Sequence, residues 1–183
     1  MSNAPWQNIA MHQLILLRHA KAANETPGTS DHDRPLTEGG RRTAAAIGQA
    51  MRKAGLAPDV VLVSSALRTQ QTFEALEEAG LWDEWPNMDT LPALYMASRE
   101  QIRETLRKLP ETVRSALVIG HNPGLHELAL SLAGTIKSTP ELARLTESYP
   151  TSALTEFLIT PPWRRLDAEG ATLQRFLQPA DIA

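Results

Sequence analysis

Three short aliphatic runs constrain this chain more than any other feature: LILL at 14–17, VVLV at 60–63 and ALVI at 116–119. None alternates polar with apolar residues. Short, uniformly aliphatic runs mark strands covered on both faces, as in a parallel sheet. Helix-forming stretches lie between them. Thr37 is the expected N-cap of a helix through RRTAAAIGQAMRKAG, with Gly55 as its stop. A second helix follows SSALRTQQTFEALEEAG and stops near Gly80. Ser98 and Gln101 have capping-box spacing for a third, which ends before Pro110. A fourth starts after Pro123-Gly124 and a fifth at Thr139-Pro140. In the tail, ALTEFLI alternates as a strand, WRRL and ATLQRFL read as short strands or a ribbon, and WDEWPNMD reads as a loop.

Alternating strands and helices predict an α/β chain, a three-layer α/β/α sandwich with a mostly parallel central sheet. Right-handed crossovers bring the carboxyl ends of parallel strands to one edge, where open α/β sheets bind ligands. Each run ends there in reactive side chains. The first leads into Arg18-His19, the second into Ser64-Ser65 and then Arg68, the third into Gly120-His121-Asn122.

Two arginines and two histidines converging in a chain of net charge -3 call for an anion. Phosphate suits them, because guanidinium donors match its oxygens and carry a permanent charge. The GHNPG segment opens a helix and adds free backbone N–H groups. One histidine, kept neutral by the flanking arginines, can act as a nucleophile and form a phosphoenzyme. The other can stabilise charge on the transferring group. Singly, each residue has a plainer reading: Arg18-His19 as a local ion pair, Arg68 as a solvated helix residue, His121 as a core histidine. Their shared position at strand ends makes the combination specific. His126 reads as a packing or surface residue, His12 as flank, His32 as loop, Lys21 as a solvated charge near the pocket, and the tryptophans as packing groups.

The 183 residues suit one domain, with 1–12 as a flexible lead-in and 13–183 as the folded unit. Met11 offers an alternative start and SNA resembles a cloning remnant. The lead-in lacks the basic start and apolar centre of a secretory signal, and no run reaches membrane length. The charge balance argues against a nucleic-acid binder. With no cysteine, disulfides, thiolate chemistry and cysteine-bound zinc are excluded, which fits a cytoplasmic protein. No histidine–carboxylate cluster has ligand spacing, so neither metal nor cofactor is expected.

LRHAKA, DRPLTEGGRRTA, VLVSSALRTQQT, LVIGHNPGLHELA and YPTSALTEF, taken together, resemble the histidine phosphatase superfamily, with its phosphoglycerate-mutase-like fold. Their order and spacing are similar to the SixA-type branch, the phosphohistidine phosphatases. The resemblance implies that His19 is the phosphorylated nucleophile and that Arg18, Arg68 and His121 bind the phosphoryl oxygens. Ser64 and Asn122 match motif positions near the pocket, and Asn122 is counted among the phosphate-binding residues. Two departures stand out. Ala20 replaces the glycine that usually follows the nucleophile, a change familiar in the SixA-type branch. Asn122 stands where one ester-cleaving branch carries its acid, and the alternatives Asp83, Glu84 and Asp89 show no clear match to the mutase-like acid. Asp31 and Asp33 read as loop residues at the pocket mouth, able to orient Arg34 or meet a substrate.

A missing acid has a chemical consequence. An alkoxide must be protonated as it leaves, whereas imidazole, with a pKa of about 6.5, is a far weaker base. The expected activity is therefore metal-independent phosphohistidine hydrolysis on a partner protein, with no nucleic acid or membrane involved. A small-molecule phosphomonoesterase or mutase, and a non-catalytic phosphoprotein-binding module, are the alternatives.

Overall fold

The computed structural model describes residues 11–80, 82–83, 86–134 and 139–182. Most of the expected lead-in, residues 1–10, lies outside them. His12, read as flank, instead opens the first strand and is buried against the Trp163 ring, with its nitrogens on the Val113 carbonyl and Glu111.

The elements follow in the order β1 (His12–Arg18), α1 (Glu38–Lys53), β2 (Val60–Ser64), α2 (Leu67–Glu78), β3 (Asn87–Leu91), α3 (Arg99–Arg107), β4 (Ser115–Gly120), α4 (Gly124–Ala133), α5 (Pro140–Glu147), β5 (Leu154–Ile159) and β6 (Ala171–Leu177). The sheet order is β3-β2-β4-β1-β5-β6. The first four are mutually parallel, while β5 runs antiparallel to β1 and β6 antiparallel to β5. This is the mostly parallel sheet expected.

The aliphatic runs explain the layers. Along β1, Leu14 and Leu16 pack into one core with residues of α3, α4 and α5, while Ile15 and Leu17 pack into another with residues of α1 and α2. Period-2 alternation thus feeds two apolar layers, leaving no polar face on the strand. The caps also behave as their chemistry requires. Thr37 accepts from the Gly40 N–H, Ser98 and Gln101 form a reciprocal capping box, and Thr139 accepts from the Leu142 N–H. Gly55 and Gly80 both end helices at φ +71°.

Two segments differ from expectation. Part of WDEWPNMD is not loop: Asn87, Met88 and Asp89 belong to β3, which pairs with β2 at the sheet edge. Exposed along nearly its whole length, it buries no aliphatic run and carries no such signal. WRRL forms a short 3-10 turn over Trp163–Arg165 around a fully buried Trp163, whose indole N–H donates to the Val113 carbonyl.

Candidate active site

Register brings the two histidines together. β1 and β4 are parallel neighbours with Arg18 opposite Gly120, so His19 and His121 are each the next residue. The His19 N–H donates to the Gly120 carbonyl at 3.0 Å. Adjacent strands lie about 4.8 Å apart, and the two imidazole centroids are 5.2 Å apart. β2 flanks β4 on the other side, and Arg68 sits in the first turn of the helix that follows it.

Both imidazoles are buried and both are poised as neutral bases. His19 Nδ1 lies 2.7 Å from the Ala20 carbonyl, which can only accept; Nδ1 therefore carries the proton and the lone pair is on Nε2. Burial pushes the His19 pKa down to about 4 against the bond to Ala20, with Arg68, Arg18 and Arg34 adding to the fall. Burial, not the arginine charge, is the larger cause. His121 Nε2 lies 2.7 Å from Ser64 Oγ. Ser64 Oγ also lies 3.5 Å from the Ala66 N–H, and its hydroxyl can donate to His121 Nε2 or accept from Nε2–H, according to the tautomer. With the hydroxyl donating, the His121 proton sits on Nδ1, a buried atom with no hydrogen-bond partner among the described residues. Burial lowers the His121 pKa to about 3, helped by His19, Arg68 and Arg18 and opposed by Asp31.

The guanidiniums are held from outside. Arg68 is buried and gives Nη1 to the Asp31 carbonyl at 2.6 Å and Nη2 to the Asp31 carboxylate at 3.0 Å. Asp31 also receives the Tyr95 hydroxyl at 2.7 Å and two bonds from Arg34 at 2.7 and 2.9 Å. These donors, Tyr95 foremost and then Arg34 and Arg68, hold the Asp31 carboxyl well below the ordinary carboxylate range. The Tyr95 ring closes the side of the pocket, edge-on to His121 at 5.6 Å and below Arg68 at 5.9 Å. Arg18 donates Nη1 to the Tyr149 carbonyl at 2.9 Å. Arg18 Nε and Arg68 Nε, and His121 Nδ1 in the tautomer that protonates it, are buried donors without a hydrogen-bond partner among the described residues. Buried donors left unmatched are costly, and three around one imidazole pair fit an anion ligand.

Asn122 spends an amide N–H on the same Tyr149 carbonyl, at 2.9 Å, so at least one of its donors braces the loop before β5. That loop is tied inward by the Tyr149 hydroxyl on the Leu16 carbonyl and by the Ser152 N–H on the Arg18 and His19 carbonyls. On the other side, Gly124 begins α4 where a Cβ would stand 1.9 Å from the Ala97 carbonyl oxygen. Only glycine permits that approach.

The proposed acids do not gather here. Asp83 is exposed and paired with Arg52 at 2.7 Å, and Asp89 sits mid-strand in β3 opposite Leu62; Glu84 lies outside the described residues. Lys21 is exposed, and its carbonyl instead receives the Thr37 N–H. His126 stacks on Tyr149 and bonds the Leu145 carbonyl. His32, in a 3-10 turn with Asp31 and Asp33, bonds Ser65 at 2.9 Å and meets the Tyr95 ring edge-on. Asp31 was read at the pocket mouth as able to orient Arg34, and it bonds Arg34 there; its grip on Arg68 and the contacts of Tyr95 and Tyr149 are what the sequence did not disclose. Asp31 sits 37 positions from Arg68 and 64 from Tyr95, so no local pattern links them.

Among known proteins, the model of the histidine phosphatase superfamily (branch 1) matches residues 14–94. An uncharacterised protein of Mycobacterium tuberculosis is 33% identical over 171 residues, covering 89% of this chain and 99% of its own. A structure from Nakamurella multipartitia, assigned as a phosphohistidine phosphatase SixA, is similar at 30% identity and a TM-score of 0.80, covering 92% of this chain and 96% of that one. The protein histidine phosphatase SixA solved with tungstate is similar at 25% identity and a TM-score of 0.73, covering 93% and 99%. The chain belongs to the histidine phosphatase superfamily, on its SixA-type branch. Its sheet and helices have the phosphoglycerate-mutase-like fold.

Proposed function

We propose that this chain is a phosphohistidine phosphatase that acts on a partner protein in the cytoplasm. His19 Nε2 attacks phosphorus in line with the substrate nitrogen. The new N–P bond forms on His19 as the substrate N–P bond breaks, and the electron pair leaves with the substrate ring, which, already protonated on its other nitrogen, departs as neutral imidazole. Arg18, Arg68 and His121 Nδ1–H hold the phosphoryl oxygens, and Asn122 supports the cradle from the Tyr149 loop. Water then attacks the phosphorus of phospho-His19 and releases phosphate, returning His19 to its neutral form. The charge needed at the transition state comes from guanidiniums, so no metal enters the scheme.

The observation that carries this reading is the neutral, Nε2-free His19 set 5.2 Å from His121 beside the buried Arg68 and the half-buried Arg18. The carboxylate nearest to hand, Asp31, supports a nitrogen leaving group as well. Its proton affinity is held too low for it to protonate an alkoxide at neutral pH. Tungstate is a tetrahedral oxyanion, and the similar SixA solved with it supports an oxyanion cradle in this fold.

The test compares phosphohistidine proteins, phosphoramidate and an alkyl phosphate with the wild type and with His19→Ala. Turnover of the N–P substrates is expected to exceed that of the alkyl ester and to fall roughly 10³-fold or more in the variant. Full turnover without His19 would refute the nucleophile. Faster cleavage of the alkyl ester would favour the phosphomonoesterase reading, and tight phosphate binding without a trapped phosphoenzyme would favour a binding module.

A further inference from the structure

We propose that Asn122 Oδ1 receives the water that hydrolyses phospho-His19, which makes Asn122 a further catalytic residue, serving the second half of the reaction and not the first. The inference rests on the phosphatase reading above and deepens it. The orientation of the amide is set by its neighbour. The Tyr149 carbonyl, 2.9 Å away, can only accept, so the atom facing it is Nδ2 and Oδ1 points elsewhere. Arg18 Nη1 donates to the same carbonyl at 2.9 Å, which sets the amide beside a guanidinium of the cradle. That carbonyl is itself well held. The Tyr149 ring is buried between His126 and Phe176, and its hydroxyl donates to the Leu16 carbonyl at 2.7 Å. Asn122 also follows His121 directly, so its backbone starts at the imidazole pair.

The unmatched atoms around the pocket say what its occupant must bring. Arg18 Nε, Arg68 Nε and, in the tautomer that protonates it, His121 Nδ1 are donors, and phosphoryl oxygens suit them. Ser152 Oγ, on the Tyr149 loop, can act either way. Asn122 Oδ1 is buried and without a hydrogen-bond partner among the described residues as well, but it is an acceptor. It repels a phosphoryl oxygen and calls for an O–H or N–H group. The reaction supplies one. Transfer is in line, so the position opposite His19 Nε2 is filled first by the substrate nitrogen, which carries no proton, and then by water, which carries two. An amide oxygen beside that position accepts one O–H of the water and turns a lone pair toward phosphorus. It is too weak a base to take the proton. As the O–P bond forms and the N–P bond breaks, the electron pair returns to His19 Nε2, and both protons leave on dihydrogen phosphate.

The experiment uses radiolabelled phosphoramidate and rapid quench to time two steps separately: formation of phospho-His19, and its decay once the label is diluted. Asn122→Ala removes both the acceptor and the brace on Tyr149, whereas Asn122→Asp restores an acceptor without the brace. The alanine variant is expected to form phospho-His19 within about threefold of the wild-type rate and to hydrolyse it about 10- to 100-fold more slowly, so that phosphoenzyme accumulates during turnover. The aspartate variant should hydrolyse it about fivefold or more faster than the alanine variant. Unchanged decay in Asn122→Ala would overturn the proposal while leaving the phosphatase intact. Equal slowing of both steps would overturn it too, by assigning Asn122 to the phosphoryl cradle. So would equally slow decay in both variants, by assigning the effect to the lost brace. A wild type that forms no phospho-His19 would remove the nucleophile reading itself, and this proposal with it.

Discussion

Asp31 grips Arg68 twice, once through its carboxylate at 3.0 Å and once through its own backbone carbonyl at 2.6 Å. The two bonds engage both terminal guanidinium nitrogens and leave Nε without a hydrogen-bond partner among the described residues. On the proposed reading Asp31 is a positioning residue: it aims a cation without donating a proton. Asp31→Ala should lower kcat for phosphoramidate by about 10- to 100-fold, the scale on which misaligned groups cost rate. Asp31→Asn, which keeps the shape, should recover part of that loss. Steady-state kinetics on both variants check this, and an alanine variant with wild-type kcat would remove Asp31 from the argument.

Ser64 is the hydrogen-bond partner of His121 Nε2, at 2.7 Å, and His121 Nδ1 has no partner among the described residues. We predict that the hydroxyl donates to Nε2 and so keeps the proton on Nδ1. Ser64→Ala removes that partner and lets the tautomers mix. A loss of roughly tenfold in kcat and weaker inhibition by phosphate are expected, on the scale of one donor to the transition state. Ring-nitrogen chemical shifts of His121 should move with it. If neither shifts nor kinetics change, the hydroxyl does not set the tautomer.

Acid should destabilise the fold through the same two rings. In the unfolded chain each histidine takes up a proton near pH 6.5, whereas in the fold His19 resists until about 4 and His121 until about 3. The unfolded state therefore binds more protons below 6.5, and stability, full above that value, falls as pH drops through 4 and 3. Urea midpoints measured from pH 7 to pH 4 should decline, and His19→Asn should flatten the decline. By the same logic, no acid limb belonging to His19 is expected near 6.5 in kcat/KM. An identical pH slope in the variant would show that His19 is not the residue responsible.

Gly124 is a steric requirement of the site. A methyl group there would fall 1.9 Å from the Ala97 carbonyl oxygen, so α4 or the segment carrying Tyr95 must shift. Gly124→Ala should cost about 1–3 kcal/mol of stability, as overpacking does, and lower kcat as well. Denaturant unfolding with parallel kinetics tests it; a variant unaltered in both would mean that the contact yields freely.

Much of this arrangement is legible before folding. LILL, VVLV and ALVI are strands because both their faces are buried, and Thr37, Ser98 and Thr139 announce helices through local bonds. That His19, Arg68 and His121 meet at one sheet edge was readable because each closely follows such a run. β3 was missed because an exposed edge strand needs no apolar pattern. Asp31 was placed with Arg34 at the pocket mouth, but its bonds to Arg68 and Tyr95 were missed because such contacts are made only after the chain has closed on itself. Asp83 and Asp89 were weighed as acids on sequence position alone, and the structure turns the first toward Arg52 and sets the second in the middle of an edge strand.

Pairing of Arg18 with Gly120 at the centre of the sheet also makes the imidazole separation an all-or-nothing quantity. Slipping one strand by a residue would throw the whole Leu14–Leu17 run onto the wrong layers, so no intermediate spacing is accessible to a folded molecule. An engineer who wanted a wider gap for a bulkier anion could not widen it gradually here. The loops at the rim are the parts open to remodelling, and the distance between the two rings would come along unaltered.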